Sequence, residues 1–596
     1  MAGKEAESLE GLKILNGNNS NFPSLSLQKV KSNLFTNGTY SLLNDSTLKA
    51  LSRTNAEIIG IKVPVKKLGE GSYGYVTSAV INLQYPTRIK ELVSAIKVSL
   101  SDEVQYTGIP EDIILECSVY ARLLKSNNTS KALFAKITGE KSSIIMEHYS
   151  SSIYDLFKEY KLLSDDKRFK LIRAIFFQIV NGLNEMHKLN FIHKDLKPQN
   201  ILVSHDGRIL IADFGLTIYS IYGNSSPQKF YDKITTDTIE PPEGNNALKD
   251  NPISKSYDIW SLGCVLDFLI FGDMKFNMWE TIGRNYRKTV TQNDYSDILK
   301  KIHEGYKSNK LPEYGDLIKM LLQIQPKDRP TTEEILKNPL FKGLTLATAI
   351  KDVREILEYD ISTRTLPNNT RKIGDKGRNK IISNTVKNVG TLNKNTGFFQ
   401  IKSFKKVPSE ISENLSEIKQ TLVKNYVELI NANKSSIYSL LHALELHNRY
   451  AYTENPTLDI EMTKIFRGIA IKLSPYKLRN SDIDMFSSKS RYTSKEIDSE
   501  VTVITSLHGD MLPQVGGLVD IILRALIPRS INDKKRILTR FLVNLATTNK
   551  SIQSCINDDV DQATIDKLSL PDILYTKFDD LPEPSKEQRV QYQINA

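Results

Sequence analysis

The chain has 596 residues, room for about three domains at roughly 100 to 200 residues each, which excludes a small disulfide-stapled module. Hydrophobic residues make up 40% and charged residues 25%, so a large core can be buried and wholesale disorder is excluded. Lys and Arg outnumber Asp and Glu by 80 to 69, a net charge of +11, yet Arg364 to Lys406 alone holds eleven Lys or Arg against Asp375, so the basic excess is one local segment.

In chain order, residues 1–58 read as a disordered N-terminal tail, rich in Asn, Ser and Lys, with no apolar run after Met1 and so no expected secretory signal. Residues 59–343 change character: short strand-like runs around a Gly-rich turn precede long helical patterns, which predicts a small sheet-containing lobe followed by a helical one. Within them, Ser261 to Phe271 is the most apolar stretch, but Asp267 interrupts it and it falls short of the roughly 20 residues of a membrane span. Residues 344–409 carry Pro367, Gly374, Gly377 and Gly390 and read as a basic flexible linker after one possible helix marked by Ala347, Ile350, Val353 and Leu357. Its only aromatics are Phe398, Phe399 and Phe404, so it is read as a solvated tether rather than a nucleic-acid surface. Residues 410–545 return to helical periodicity, with Leu415, Ile418, Leu422, Tyr426 and Ile430 on one face and Ile437, Leu440, Leu441 and Leu444 on another. Residues 546–596 form a polar C-terminal tail. Cys117, Cys264 and Cys555 make no Cys-x-x-Cys pair, which fits a reducing compartment. A soluble protein of the cytoplasm or nucleus is expected.

Chemistry concentrates in the second region. Gly69-Glu70-Gly71-Ser72-Tyr73-Gly74-Tyr75-Val76 fits a glycine pattern that lets backbone N–H groups approach phosphates, although a dinucleotide-binding turn has similar spacing. Ala95-Ile96-Lys97 breaks the tie by placing a lysine on a strand to neutralise the α- and β-phosphates of ATP, with Glu116 on a helix to hold it. Asp195, Lys197 and Asn200 then supply a carboxylate, a cation and an amide within six positions: Asp195 to orient and deprotonate a hydroxyl, Lys197 to offset charge on the moving phosphoryl group, Asn200 to hold Mg²⁺. Asp213-Phe214-Gly215 adds a second metal ligand, and Glu243 and Arg329 are candidates for a buried ion pair.

Together these blocks resemble the eukaryotic protein kinase family, an α+β bilobal fold with a β-rich N-lobe and a helical C-lobe. The resemblance implies ATP and Mg²⁺ as cofactors and protein substrates. It implies a nucleotide site formed by Leu68, Gly69, Glu70, Gly71, Ser72, Tyr73, Gly74 and Val76, by Ala95 and Leu202 on either side of the base, and by a hinge at Met146, Glu147 and Tyr149. Thr236, seven residues before Glu243, matches the hydroxyl that contacts the catalytic Asp and Lys, a serine/threonine-type signature.

Gly108-Ile109-Pro110-Glu111-Asp112-Ile113-Ile114-Leu115-Glu116 is similar to the helix element of cyclin-dependent kinases that a cyclin pushes inward. The region 410–545 in turn resembles an all-α cyclin-like domain, through Ala443 to Tyr450, Ile469-Ala470-Ile471-Lys472-Leu473, and a helix opened by Tyr492-Thr493-Ser494-Lys495-Glu496 that carries Glu500. That resemblance implies that Lys472 and Glu500 hydrogen-bond the backbone around Pro110 to Asp112; Thr493 and Glu496 independently read as a capping box. A flexible tether of about 65 residues spans about 45 Å r.m.s. and sustains millimolar local concentration. The expected function is a cyclin-dependent-kinase-like serine/threonine kinase activated in cis. The alternative is a kinase scaffold with little turnover whose helical domain recruits partners.

The family pattern fails in places. Where three arginines grip an activation-segment phosphothreonine, this chain has Leu115, Lys194 and Ile218, and Tyr231 stands near the threonine position, so activity independent of that phosphorylation is expected. Glu240 replaces an arginine that shapes a proline-selecting pocket. Ser72 and Tyr73 sit where inhibitory phosphates land in relatives.

Overall fold

The structure, a computed structural model, describes residues 57–62, 67–71, 74–84, 89–100, 108–137, 141–147, 149, 151–160, 163–204, 206–219, 240–244, 253–272, 292–309, 311–363, 398–401, 437–451, 453, 456, 459, 461–474 and 492–513. Ser72, Tyr73, Tyr231 and Thr236, the expected helix face of Leu415 to Ile430, and both expected tails save Glu57 and Ile58 lie outside them. Two compact units emerge. Unit 1 holds the described residues of Met1–Lys97, Arg122–Phe134 and Ile144–Leu392, and unit 2 those of Val98–Ala121, Ala135–Ser143 and Asn393–Ala596.

Strands β1 (Glu57–Lys62), β2 (Lys67–Gly71), β3 (Gly74–Gln84) and β4 (Ile89–Leu100) come first, then helix α1 (Glu111–Arg122), β5 (Ala132–Ile137), β6 (Lys141–Glu147) and β7 (Ser151–Ser152). The helical part follows: α2 (Ile153–Tyr160), α3 (Asp165–Lys188), the short strands β8 (Phe191–Ile192), β9 (Ile201–Val203), β10 (Ile209–Ile211) and β11 (Ile218–Tyr219), then α4 (Lys255–Phe271), α5 (Gln292–Ser308), α6 (Pro312–Leu321), α7 (Thr332–Leu336) and α8 (Leu346–Thr363). Beyond these lie β12 (Phe398–Gln400), α9 (Ile437–Ala451), α10 (Met462–Lys472) and α11 (Ser494–Ser506). The content is mixed, with small sheets and many helices.

In unit 1, β3 pairs antiparallel with both β1 and β2, and the β2–β3 register sets Gly71 opposite Gly74 and Gly69 opposite Val76. The Gly-rich motif is therefore the tip of a hairpin. The sheet β10-β9-β7 and the pair β11-β8 frame the loop between β8 and β9. α3 is the axis of the unit: acidic Asp165 and Asp166 open it and His187 and Lys188 close it, as the helix dipole favours, and Leu171, Ile175, Ile179, Leu183 and Met186 are buried along it. α4 is buried on nearly every side, so it is an internal strut.

The one possible helix at the start of the basic stretch forms, as α8. α8 packs against α3, burying Ala349, Val353 and Ile356, with an ion pair from Lys170 to Asp352 at 2.9 Å. The apolar face runs through Ala349 rather than the expected Ala347, which is exposed. Gly207, at φ +88°, gives room to this helix, because a Cβ there would sit 2.3 Å from the Ile350 carbonyl oxygen. Phe398–Gln400, also inside the expected tether, is a strand.

In unit 2, α10 packs against both α9 and α11. Leu444 and Tyr450 of α9, Phe466 and Ile469 of α10, and Val503 and Ile504 of α11 are buried, and the Tyr450 and Phe466 rings meet at a tilt of 59° with centroids 5.7 Å apart. Thr493 and Glu496 form both bonds of the expected capping box. α1, which lies among kinase-like motifs in the sequence, belongs here except for its last residue; Ile113 to Ala121 are all buried, so it is enclosed on every side.

Candidate active site

The loop His193 to Asn200 is held by a carboxylate beneath it. Asp258, fully buried at the start of α4, accepts the backbone N–H of His193 at 2.8 Å and of Lys194 at 2.9 Å, and pairs with His187 Nε2 at 2.8 Å. Those bonds fix a backbone that turns through a left-handed Lys194 (φ 68°). His193 Nε2 donates to the Ala212 carbonyl at 3.0 Å while its Nδ1 accepts the Asp195 N–H at 3.2 Å, so the ring is the neutral Nε2–H tautomer. Burial pushes His187 down from its ordinary value against the pull of Asp258. Asp258 and His187 have no assigned role in the sequence reading. The available signal was an aspartate in the first turn of an apolar helix, which must find donors if buried.

The expected triad is assembled on this loop. Asp195, 5% exposed, carries Oδ2 at 2.7 Å from Lys197 Nζ, and Asn200 Nδ2 donates to both the Asp195 carbonyl and Oδ2 at 2.9 Å. With its nitrogen committed to Asp195, Asn200 is left with its side-chain oxygen as the ligating end. Asp213, left-handed at φ 64°, accepts from Lys97 Nζ at 2.9 Å and its side chain is half exposed. Burial would raise the Asp213 carboxyl, but the Lys97 ammonium holds it below the usual carboxylate range. Phe214 is fully buried, its ring edge-on to His193 at 5.8 Å.

An amide oxygen and a carboxylate are the hard oxygen donors that Mg²⁺ takes with substrate phosphates, so the donor set fits that ion. Among the described residues, no group of three or more His, Cys, Asp or Glu could hold a metal without such added ligands.

The remaining expected residues fall as follows. Leu68, Gly69, Glu70, Gly71, Gly74 and Val76 lie on the β2–β3 hairpin, Ala95 is buried on β4, and Leu202 is half-buried on β9. Met146 and Glu147 end β6, where the Glu147 N–H meets the Lys131 carbonyl at 3.0 Å. The Tyr149 hydroxyl accepts the Lys131 N–H at 3.1 Å and donates to Glu147 Oε2 at 3.0 Å, so this phenol braces the strand ends; sequence reasoning had placed it only in the hinge. Lys97 belongs to unit 1, and Glu116, 3% exposed, to unit 2. Glu243 and Arg329 form the expected buried pair, at 2.5 and 2.9 Å through two N–H donors.

Unit 2 contains a second constellation. Glu500 Oε2 accepts the Ile109 N–H at 2.7 Å, Lys472 Nζ donates to the Ile109 carbonyl at 2.9 Å, and the two side chains pair at 2.5 Å. The contact sits at Ile109 rather than at the expected Pro110 to Asp112, because Ile109 is the last peptide before the helix whose N–H and C=O both point away from helical bonding. Burial pushes Lys472 down and Glu500 up, and each is restrained by the other. Gly108 makes the approach possible: at φ +75° it lies so close that a Cβ would fall 2.1 Å from Glu500 Oε2 and 2.7 Å from the Tyr492 ring.

No helix among the described residues is long and apolar enough to cross a membrane. A model of the protein kinase domain matches residues 63–341. Mitogen-activated protein kinase 16 of Arabidopsis thaliana is 28% identical over 336 residues, which cover 50% of this chain and 55% of that relative. Mitogen-activated protein kinase 10 of Oryza sativa subsp. japonica is 28% identical over 312 residues, 46% of this chain and 47% of the relative. Mitogen-activated protein kinase 15 of Arabidopsis thaliana is 26% identical over 336 residues, 50% of this chain and 54% of the relative. The chain spans about half the length of the curated relatives it matches. Residues 63–341 are thus similar to a protein kinase domain, of a family that uses ATP and Mg²⁺.

Proposed function

We propose that the whole chain is an ATP- and Mg²⁺-dependent serine/threonine kinase of cyclin-dependent-kinase-like type, with its C-terminal helical unit serving as a built-in cyclin. In this reading Asp195 orients the substrate hydroxyl and takes its proton, and Lys197, held at 2.7 Å from it, stabilises charge on the phosphoryl oxygens. Asn200 and Asp213 would hold Mg²⁺, which when bound offsets charge on the phosphates. Lys97 contacts the α- and β-phosphates, the Gly69 to Gly74 hairpin covers them, and Ala95, Leu202, Met146, Glu147 and Tyr149 surround the base. Ser72, Tyr73 and Thr236 complete the site.

One observation carries the cyclin-like reading. Both backbone groups of Ile109 are engaged by side chains 363 and 391 residues away, Lys472 and Glu500, the two residues that the resemblance singled out. The grip lands at the entrance of the helix that bears Glu116. In the full-length chain, Lys472→Ala with Glu500→Ala should reduce phosphate transfer about tenfold or more, the equivalent of about 1.4 kcal/mol. Undiminished activity would end the reading. Asp195→Ala tests the scaffold alternative, since it abolishes transfer in an enzyme and leaves recruitment by a scaffold untouched.

Phosphorylation-independent activity has its own support. Ile218, where the pattern calls for a phosphate-binding arginine, is 1% exposed in an apolar cluster with Ile192, Ile253 and Tyr257, and Lys194 is 2% exposed. Activity that survives complete phosphatase treatment is the expected result; its abolition would count against the idea.

A further inference from the structure

Ser118 lies two turns into α1 and is fully buried. Its oxygen accepts the Met511 N–H at 3.0 Å, and its single proton is within reach of two acceptors, the Gly509 carbonyl at 2.9 Å and its own helix's Ile114 carbonyl at 2.8 Å. Gly509 and Met511 belong to the turn that follows α11, which passes through consecutive left-handed residues His508 (φ 55°) and Gly509 (φ 82°).

That turn is fixed from the other side. Arg449, buried on α9, donates to the Asp510 carbonyl at 2.8 Å and the Leu512 carbonyl at 3.1 Å, and His442 Nε2 donates to the Met511 carbonyl at 2.7 Å. Four successive residues, Gly509 to Leu512, therefore have a backbone group held by Ser118, Arg449 or His442. A loop tied down so completely presents one acceptor and one donor side by side in a dry site. Only a group that both donates and accepts satisfies the pair: a carboxylate would face the Gly509 oxygen, and an ammonium would face the Met511 N–H.

We propose that Ser118 is a second anchor of α1, and that the 507–513 turn is a receptor for its hydroxyl that sets the rotational position of the helix. The proposal deepens the cyclin-like reading and rests on it for the consequence to activity. Ile109 and Ser118 are nine residues apart, about 13.5 Å along a helix at 1.5 Å per residue. The packing around α1 is non-directional and the Ile109 anchor fixes only its N-terminal end; a second hydrogen-bonded anchor at this distance sets the helix's rotation and with it the direction in which Glu116 projects. Ser118 is a positioning residue and touches no reacting atom.

The test uses hydrogen exchange and steady-state kinetics on the full-length chain. Ser118→Ala should raise exchange at least severalfold in peptides covering 108–118 and 505–513, leave α3 protected, and lower kcat; Ser118→Thr, which keeps the hydroxyl, should restore both. Unchanged exchange at 505–513 in Ser118→Ala would overturn the proposal. Should that variant unfold, Ser118→Cys keeps the volume with a weak hydrogen-bonding group, and protection equal to the parent in that variant would overturn it equally. If Ser118→Ala loosens the turn while Lys472→Ala with Glu500→Ala leaves activity intact, the anchor stands and the cyclin-like reading fails. The opposite pattern removes the anchor alone.

Discussion

Single residues decide the two constellations, and Gly108 is the sharpest case. Its left-handed φ of +75° and the 2.1 Å approach to Glu500 leave no space for a side chain. Gly108→Ala should therefore release Ile109, lower kinase activity to the level of the Lys472 and Glu500 variants, and raise exchange at residues 108–112; parent-like behaviour would show that the grip has slack. Asp258 holds the 193–200 loop through its backbone N–H groups, and His187, which pairs with it, should make stability depend on pH. Because His187 has a folded pKa below its ordinary 6.5, the unfolded chain binds more protons as pH drops below that value. Its stabilising contribution is complete above 6.5 and is lost as pH falls toward the folded value. Urea unfolding at pH 7.5 and 5.5 should show this acid loss, and His187→Gln should flatten it. Asp195, Lys197, Asn200 and Asp213 were legible as candidates because the residue types and spacing that phosphoryl transfer calls for are local in the sequence, and the structure brings the first three together and sets Asp213 against Lys97. The role of Asp258 was not legible, because two of its three partners are the backbone N–H groups of His193 and Lys194; its place in the first turn of an apolar helix signals only that it needs donors.

Elements were legible where their ends carry chemistry. Thr493 and Glu496 announce the start of α11, and both capping bonds form, with Lys464 reaching Glu496 at 2.6 Å. Thr493→Ala should cost ~1 kcal/mol of stability, measured as an earlier denaturant midpoint with unchanged slope, and Thr493→Ser should recover most of it. α8 was harder to read: its three buried positions are spaced by four and three residues, but Ala347 competes with Ala349 for the apolar face, and the deciding factor is a neighbour, α3. The short strands β8 and β11 could not be found by periodicity at all. Each is two residues long, and they exist because Phe191 and Ile192 find Tyr219 and Ile218 across a long sequence gap.

For the whole molecule, the linear order of motifs misleads about which parts pack together. The kinase-domain match runs unbroken from 63 to 341, yet segments 98–121 and 135–143 inside it cluster with residues beyond 393. Unit 2 is therefore stitched from pieces on both sides of the basic stretch, with Ile109 and Ser118 contributed by one side and Lys472, Glu500 and Met511 by the other. Severing the backbone at a protease site engineered between 364 and 397 should consequently leave two fragments that co-elute in gel filtration and come apart only in denaturant. Such interleaving also means that the helical portion cannot be exchanged between chains like a cartridge, because a donor would have to bring a matching Gly108 and Ser118 along with it.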